Sequence, residues 1–255
     1  METREPAIAP SRPISGEQRA QALRRVNHGG ARWVWDWMRS FIIAVGLFLF
    51  VRAFFVEAFK IPSGSMERTL LVGDFLLVNK LVYGAEVPFT GVHLPRVQRP
   101  KRGDVIVFVW PKDPSKNFVK RLVGLPGDTL EMHDGLLFVN GDAQGERYVT
   151  RTDPDVDPSA ADFEWQSAHL VKTAEAAHMH PSRNNWGPLV VPELSYFVLG
   201  DNRDNSLDSR YWGFVPDSLV RGRPMFVYYS YAPDTSARFP WLTRIRWQRL
   251  GERVY

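Results

Sequence analysis

The residues best suited to chemistry are a serine and a lysine that lie far apart in the sequence. Ser65 belongs to the run Ser63-Gly-Ser-Met66, and Lys120 stands in a mainly apolar run at residues 118–123. A serine hydroxyl becomes a good nucleophile when a neighbouring base removes its proton. An alternating strand can point Lys120 inward among apolar neighbours, and burial favours the neutral amine that acts as a base. The pair therefore suggests a serine protease that works without histidine.

Composition removes several other kinds of chemistry. The 255 residues contain no cysteine, which excludes disulfides, thiolate zinc sites and a cysteine nucleophile. His178 and His180 lie two apart beside Pro181, and no His-Glu-x-x-His run occurs, so no metal site is expected. The net charge of +4 is small, and the arginines cluster at the two ends of the chain, so nucleic-acid binding is not favoured. The nucleophile must therefore be an oxygen atom.

The elements that position these residues begin with a membrane-length apolar segment. Residues 37–59 are predicted as a transmembrane helix, whose 23 residues would extend about 34 Å. Arg52 and Glu57 are the only charges after residue 40 in this segment, and Arg52 would snorkel towards an interface. Trp33, Trp35 and Trp37 would form an aromatic belt. A cleaved signal peptide is a rival reading, although about forty residues before the apolar core are too many for one.

The orientation of the span follows from charge. Seven arginines and no lysine occur up to Arg39, which places the N-terminal arm in the cytoplasm and the rest of the chain outside. Short β-like runs follow Lys60, and Asp134-Gly135 between two of them predicts a tight hairpin. We expect a flexible arm at 1–36, a catalytic β domain at 60–140 and 193–255, and an inserted subdomain or long excursion at 141–192.

Five motifs follow one another in order along the chain. They are Ile61-Pro-Ser-Gly-Ser-Met66, Thr69-Leu-Leu-Val-Gly-Asp74, Arg102-Gly-Asp-Val-Ile-Val107, Lys120-Arg-Leu-Val-Gly-Leu-Pro-Gly-Asp128 and Gly200-Asp-Asn-Arg-Asp-Asn-Ser-Leu-Asp-Ser-Arg-Tyr-Trp-Gly213. The series closely resembles bacterial type I signal peptidase. The resemblance implies a mainly β fold with an antiparallel catalytic domain, an inserted smaller subdomain and one N-terminal transmembrane helix. It also implies an enzyme of the bacterial inner membrane whose catalytic domain is on the periplasmic side.

The resemblance assigns roles to individual residues. Ser65 would be the nucleophile and Lys120 the general base of an acyl-enzyme mechanism. The backbone N–H of Ser65 and the hydroxyl of Ser63 would stabilise the oxyanion. Ser206 would hydrogen-bond the Lys120 amine and fix its direction. No cofactor is implied, and the substrates would be preproteins cut after an Ala-x-Ala sequence.

Supporting and substrate-binding residues are also implied by the resemblance. Asp208 and Arg210 would hold their loop against the site. An extended peptide would pair with strand edges near the dyad and place small side chains in shallow apolar pockets. The residues expected to line these pockets are Ile61, Met66, Leu70, Phe118 and Val119. Arg68 departs from the family pattern, which usually has proline there, so this turn loses a fixed φ angle.

Several alternatives remain at this point. A conjugation-associated pilin-processing peptidase shares the Ser/Lys pair, as does a self-cleaving repressor-type protease, although the latter needs no membrane anchor. A membrane-tethered β scaffold without activity would require neither Ser65 nor Lys120.

Residues 200–208 fit a calcium loop poorly, because Arg203 falls on a ligand position. The aromatic and arginine residues at 239–249, including Trp241 and Trp247, suggest contact with lipid headgroups. The oligomeric state does not follow from the sequence.

Overall fold

The computed structural model describes residues 15–84, 95–152, 163–171, 180–233, 236 and 238–255, with the backbone alone at 18–31. The chain forms two compact units, residues 1–50 and 51–255. Parts of the predicted insertion, residues 153–162 and 172–179 with His178, lie outside the described residues. The mainly β architecture with an N-terminal apolar helix confirms the predicted fold class.

Helix α1 (Gly16–Phe54) contains a candidate membrane span of 23 residues, Arg32–Phe54, within which an 18-residue stretch has a mean hydropathy of 1.7. The flexible arm predicted at 1–36 is wrong from Gly16 onward, since the alanine, arginine and glutamine of this stretch favour helix. Residues 1–14 lie outside the description.

The C-terminal end of the predicted span, at residue 59, is also wrong. The helix ends at Phe54, and the next residues form strand β1 (Val56–Lys60). They leave the helix because they pair with residues 75–79. At this end of the helix, the Lys80 ammonium donates to the Ala53 carbonyl at 2.9 Å, which satisfies a carbonyl without an intrahelical partner.

Ten further strands follow among the described residues of the second unit. They are β2 (Asp74–Asn79), β3 (Val105–Val109), β4 (Asn117–Gly124), β5 (Thr129–His133), β6 (Leu136–Val139), β7 (Asp142–Ala143), β8 (Trp186–Val190), β9 (Ser195–Leu199), β10 (Val215–Pro216) and β11 (Val220–Ser230). Three short helices accompany them: α2 (Glu164–Ser167), α3 (Ser209–Trp212) and α4 (Pro240–Thr243). The larger sheet has the order β1-β2-β11-β3-β4-β9-β10, and the smaller has the order β7-β6-β5-β8. The paired strands of both sheets are antiparallel.

The smaller sheet joins the two sides of the predicted insertion boundary. The hairpin β5–β6 forms as predicted, with Asp134 and Gly135 at positive φ in its turn. However, β8 lies within residues 141–192 and pairs with β5 through Thr129 and Val190. The boundary predicted at residue 141 therefore cuts through one sheet, because strand pairing joins segments that are distant in sequence.

The larger sheet positions the two candidate catalytic residues. β1 leads through Ile61 and Pro62 into a short 3-10 helix, Gly64–Met66. Ile61, which precedes this helix, Met66 at its end and Leu70, which follows it, belong to one buried apolar cluster. β4 is paired with β3 and carries Lys120 opposite Ile106. The folding of these strands thus brings residue 65 beside residue 120.

Candidate active site

Ser65 and Lys120 are in direct contact. The Lys120 Nζ–Ser65 Oγ distance is 2.5 Å, and the side chains are almost completely buried, with Ser65 9% and Lys120 4% exposed. The Ser63 hydroxyl lies 3.4 Å from Ser65 Oγ, on the other side of Gly64. The structure therefore brings together three of the residues that the sequence pointed to.

The surroundings of Lys120 favour its neutral form. Burial lowers the pKa of the Lys120 amine from 10.5 to about 8, and the Arg210 charge acts in the same direction, whereas Asp208 and Asp201 oppose it. The Phe118 ring lies 5.5 Å from Nζ. A substantial fraction of Lys120 is therefore neutral at mildly alkaline pH and can accept a proton from a hydroxyl 2.5 Å away.

Ser206 does not make the predicted contact. Its hydroxyl is buried and has no hydrogen-bond partner among the described residues. It lies against Gly200, where an added Cβ would come within 2.2 Å of Ser206 Oγ and 2.5 Å of the Ser65 carbonyl oxygen. The hydrogen bond to the Lys120 amine is not formed in this structure, where the hydroxyl lies against Gly200 and close enough to Asp208 to help lower the pKa of that carboxyl. The orienting role of Ser206 stays a prediction.

Asp208 and Arg210 form a fully buried ion pair beside the site. Arg210 donates from Nε and Nη2 to the two carboxylate oxygens of Asp208, at 2.8 and 2.9 Å. Burial alone would raise the pKa of Asp208, but the Arg210 guanidinium holds it below its usual range. Asp208 also accepts a hydrogen bond from the Gly200 amide at 3.0 Å. The pair thus fixes the segment that contacts the Ser65 backbone.

A second buried ion pair was missed by the sequence reasoning. Arg121 donates from Nε and Nη2 to Asp201 at 2.8 and 2.7 Å, and Thr69 also bonds Asp201. The Arg121 guanidinium lies 3.9 Å from the Tyr148 ring. Arg121 itself is the feature of the sequence that could have predicted this pair. It is a second cation beside Lys120 in an apolar strand, and a buried cation needs an acidic partner.

A cleft of about 250 Å³ opens beside Ser65 and Lys120. Four predicted pocket residues line it: Ile61, Met66, Phe118 and Val119. Leu70 does not; it is completely buried and belongs to the apolar cluster beneath the cleft. The sequence reasoning missed several other lining residues, which are Phe59, Lys60, Pro62, Asn117, Asn205 and Leu207.

One wall of the cleft is a strand edge. β9 pairs with β4 only from Arg121 onward, whereas β3 pairs with β4 from Asn117. Residues 117–120 therefore have an edge that β9 does not cover, beside the cleft. An extended peptide could pair with this edge and bring a carbonyl carbon to Ser65. A serine hydroxyl, a buried lysine amine and a strand edge in one cleft fit the arrangement of a serine peptidase.

Comparison with known proteins agrees with this class. The model of the family described as "Signal peptidase, peptidase S26" matches residues 34–229, more than half of the chain. The chain therefore belongs to this family of serine peptidases.

Individual relatives are similar over most of their length. The signal peptidase I of Pseudomonas aeruginosa is 37% identical over 224 residues, which cover 82% of this chain and 78% of that protein. The signal peptidase I of Pseudomonas fluorescens gives the same values. That of Aquifex aeolicus is 38% identical over 214 residues, covering 71% of this chain and 79% of the relative. As a member of this family, the chain removes signal peptides, and its substrates are preproteins that carry them.

Proposed function

We propose that the chain is a membrane-bound endopeptidase that releases exported proteins by a Ser65/Lys120 mechanism. The 2.5 Å contact between Ser65 Oγ and Lys120 Nζ in a buried site carries this proposal. Neutral Lys120 removes the Ser65 proton as Oγ attacks the scissile carbonyl. The resulting ammonium returns the proton to the leaving amine, and an acyl-enzyme on Ser65 remains. Lys120, neutral again, then activates the water that hydrolyses this ester.

The oxyanion of each tetrahedral intermediate needs hydrogen-bond donors. The Ser63 hydroxyl lies 3.4 Å from Ser65 Oγ, close to where the oxyanion would form. We assign it to the oxyanion hole together with the Ser65 backbone N–H. Donors of this kind act strongly in a buried site because little water competes with them. Asp208 and Arg210 take no part in proton transfer and support the site from behind.

Specificity would come from the walls of the cleft. The substrate pairs as an added strand along residues 117–120, which presents alternate side chains to the pocket. Ile61, Met66 and Val119 leave little depth there, so small side chains are favoured at alternate positions before the cut. A preference for Ala-x-Ala follows from this shape.

Cleavage of a defined precursor tests this proposal. Detergent-solubilised protein is incubated with a secretory precursor whose signal ends in Ala-x-Ala, and the products are mapped by mass spectrometry. We expect one cut after the second alanine and a strong loss of cleavage when either alanine is replaced by phenylalanine. The Ser65→Ala protein is the inactive control.

Three results would contradict the proposal in different ways. An intact precursor with folded protein would favour a non-catalytic scaffold. Cleavage only of pilin-type precursors would favour the specialised peptidase. Equal cleavage of the phenylalanine precursors would leave the peptidase but remove the Ala-x-Ala specificity.

We also propose that the enzyme is a single-pass protein of the bacterial inner membrane, with its N-terminus in the cytoplasm. The candidate span Arg32–Phe54 would be the anchor, and its arginine-rich N-terminal flank sets the orientation. The C-terminal aromatic segment, residues 239–249, would touch the outer surface of the bilayer. Trp241 and Trp247 are 53% and 70% exposed there, among several arginines.

Brominated lipids test the contact of this segment with the bilayer. In proteoliposomes of brominated phosphatidylglycerol, replacing Trp241 and Trp247 together by phenylalanine should lower the quenchable tryptophan fluorescence, because exposed indoles at an interface meet the bromine atoms. Trp186→Phe removes a buried indole and should leave the quenchable signal unchanged. Unchanged quenching in the Trp241/Trp247 double variant would rule out the contact.

A further inference from the structure

The inserted segment, residues 141–192, contains no catalytic candidate, yet two of its parts lie against the segment 200–210 that supports the dyad. The Thr150 amide donates to the Asp201 carbonyl at 2.8 Å, and the Arg203 amide donates to the Thr150 carbonyl at 3.0 Å. Glu146 pairs with the Arg203 guanidinium at 2.6 Å. Residues 146–150 of the inserted segment are therefore joined to residues 201–203 by backbone hydrogen bonds and an ion pair.

The other part, around α2, contacts the end of the same segment. The Trp165 indole N–H and the Gln166 side-chain amide both donate to the Arg210 carbonyl oxygen, at 2.7 and 3.0 Å. Gln166 is fully buried, and the Trp165 ring packs edge-on against Phe214 at 5.5 Å. Two donors thus occupy one carbonyl, which has two lone pairs to offer. This carbonyl belongs to the arginine whose side chain clamps Asp208.

We propose that the inserted segment positions the catalytic lysine, with Trp165 and Gln166 as positioning residues that act through Arg210. The connection runs through four steps of contact. Trp165 and Gln166 hold the Arg210 backbone, the Arg210 guanidinium holds Asp208, and Asp208 holds the Gly200 amide. Gly200 lies against the Ser65 carbonyl. The segment 200–210 also lies beside Lys120, because Asn205 and Leu207 line the same cleft as Lys120 and Ser65. The charges of Asp201, Asp208 and Arg210 act on the Lys120 amine from this segment.

Release of the Arg210 backbone has a defined effect on Lys120. Burial is the largest influence that lowers the Lys120 pKa to about 8. If residues 200–210 move away from the dyad, water reaches Lys120. The pKa of the Lys120 amine then rises back towards its ordinary value near 10.5. The same movement disturbs the support of the Ser65 backbone. Cleavage should therefore slow mainly at the chemical step. Residues 117–120, Ile61 and Met66 still hold the peptide, and only the part of the wall formed by Asn205 and Leu207 moves, so KM should change little.

The chain offers conservative variants for this test. Trp165→Phe removes the indole donor but retains a ring against Phe214. Gln166→Met removes the amide donor, and the Gln166 Oε1 atom that is lost with it has no hydrogen-bond partner among the described residues. Trp186→Phe is the matched control, because the buried Trp186 indole N–H likewise has no such partner. Glu164→Ala changes an exposed residue of α2 and controls for the helix itself.

The decisive readout is the titration of Lys120, which needs no substrate. The full-length protein contains seven lysines, and its ¹³C-lysine NMR spectrum can be assigned at Lys120 by comparison with Lys120→Met. We expect the Trp165→Phe/Gln166→Met protein to titrate at higher pH than the unchanged protein, with smaller shifts in the single variants. The two controls should titrate like the unchanged protein. Thermal unfolding shows which variants are folded, and the single variants replace the double one if it is not.

Kinetics on the Ala-x-Ala precursor provide the second readout, which rests on the proposed function. We expect kcat to fall about ten-fold or more in the double variant, since small displacements of catalytic groups have effects of this size, with KM nearly unchanged. Unchanged Lys120 titration in a folded double variant would overturn the positioning role, as would an equal shift in Trp186→Phe. Absence of cleavage by the unchanged protein would instead count against the proposed function, while the NMR titration still decides the inference.

Discussion

Replacement of Lys120 by methionine is expected to reduce precursor cleavage by at least about 10³-fold, because removal of a general base typically costs a large part of the catalytic rate. Methionine has nearly the same length and fills the same buried space, so Ser65 would remain in place without a proton acceptor. Initial rates on the Ala-x-Ala precursor measure the loss. For the unchanged protein, the rate should rise with pH and reach half its maximum near the Lys120 pKa of about 8.

Stability should change in the opposite direction from activity. The folded-state pKa of about 8 lies below the ordinary 10.5, so at pH 7 the fold carries a buried ammonium. This difference corresponds to a destabilisation of about 3 kcal/mol, which is fully present below pH 8 and disappears as pH rises towards 10.5. Lys120→Met should therefore raise the thermal midpoint at pH 7. Lys116→Met, which changes a largely exposed lysine, should leave both properties unchanged. Substantial cleavage by the folded Lys120→Met protein would refute the assigned base.

Replacement of Gly200 by alanine should also cost much of the activity, although Gly200 has no functional group. An added Cβ would lie 2.2 Å from Ser206 Oγ and 2.5 Å from the Ser65 carbonyl oxygen, far inside van der Waals contact. Rotation of the Ser206 hydroxyl does not relieve the clash, because Ser206 Cβ would also lie 2.5 Å away, so the backbone of the segment or of Ser65 must move. A displacement of the nucleophile by about 1 Å can cost 10²-fold in rate. We expect a decrease of kcat of about this size, measured on the same precursor.

A second glycine separates this local effect from a general loss of backbone freedom. A Cβ at Gly145 would meet nothing within 4 Å, so Gly145→Ala should leave the rate unchanged. A normal kcat in the Gly200→Ala protein would show that an added Cβ at residue 200 does not displace Ser65. Equal losses in both variants would point to a general effect on folding.

Sequence patterns predicted the elements whose signals are local. Asp134-Gly135 favours a tight hairpin turn at any place in a sequence, and the structure has it there. The strand that holds Lys120 was also predicted in this way. The supporting role of Asp208 and Arg210 was expected only through the resemblance of ordered motifs. The contact between Ser65 and Lys120 spans 55 residues and was expected only through the resemblance of ordered motifs.

The errors concern features that depend on distant partners. Val56–Lys60 continues the apolar run of the helix, and only its pairing with β2 makes it a strand. Leu70 resembles the pocket residues in type, but its position beneath Met66 buries it. The direction of the Ser206 hydroxyl depends on packing against Gly200, which no motif specifies. Tertiary contacts decide such cases, since they outweigh local propensity.

Adjacent buried cations make β4 sensitive to errors of strand register. Lys120 and Arg121 are neighbours, so they project to opposite faces: one reaches Ser65 and the other reaches Asp201. A slip of one residue against β3 would exchange these faces and bring a guanidinium, which stays protonated, to the serine. A wrongly paired molecule would therefore lack a base altogether. Misfolding at this strand would therefore yield an inert protein rather than an unselective protease.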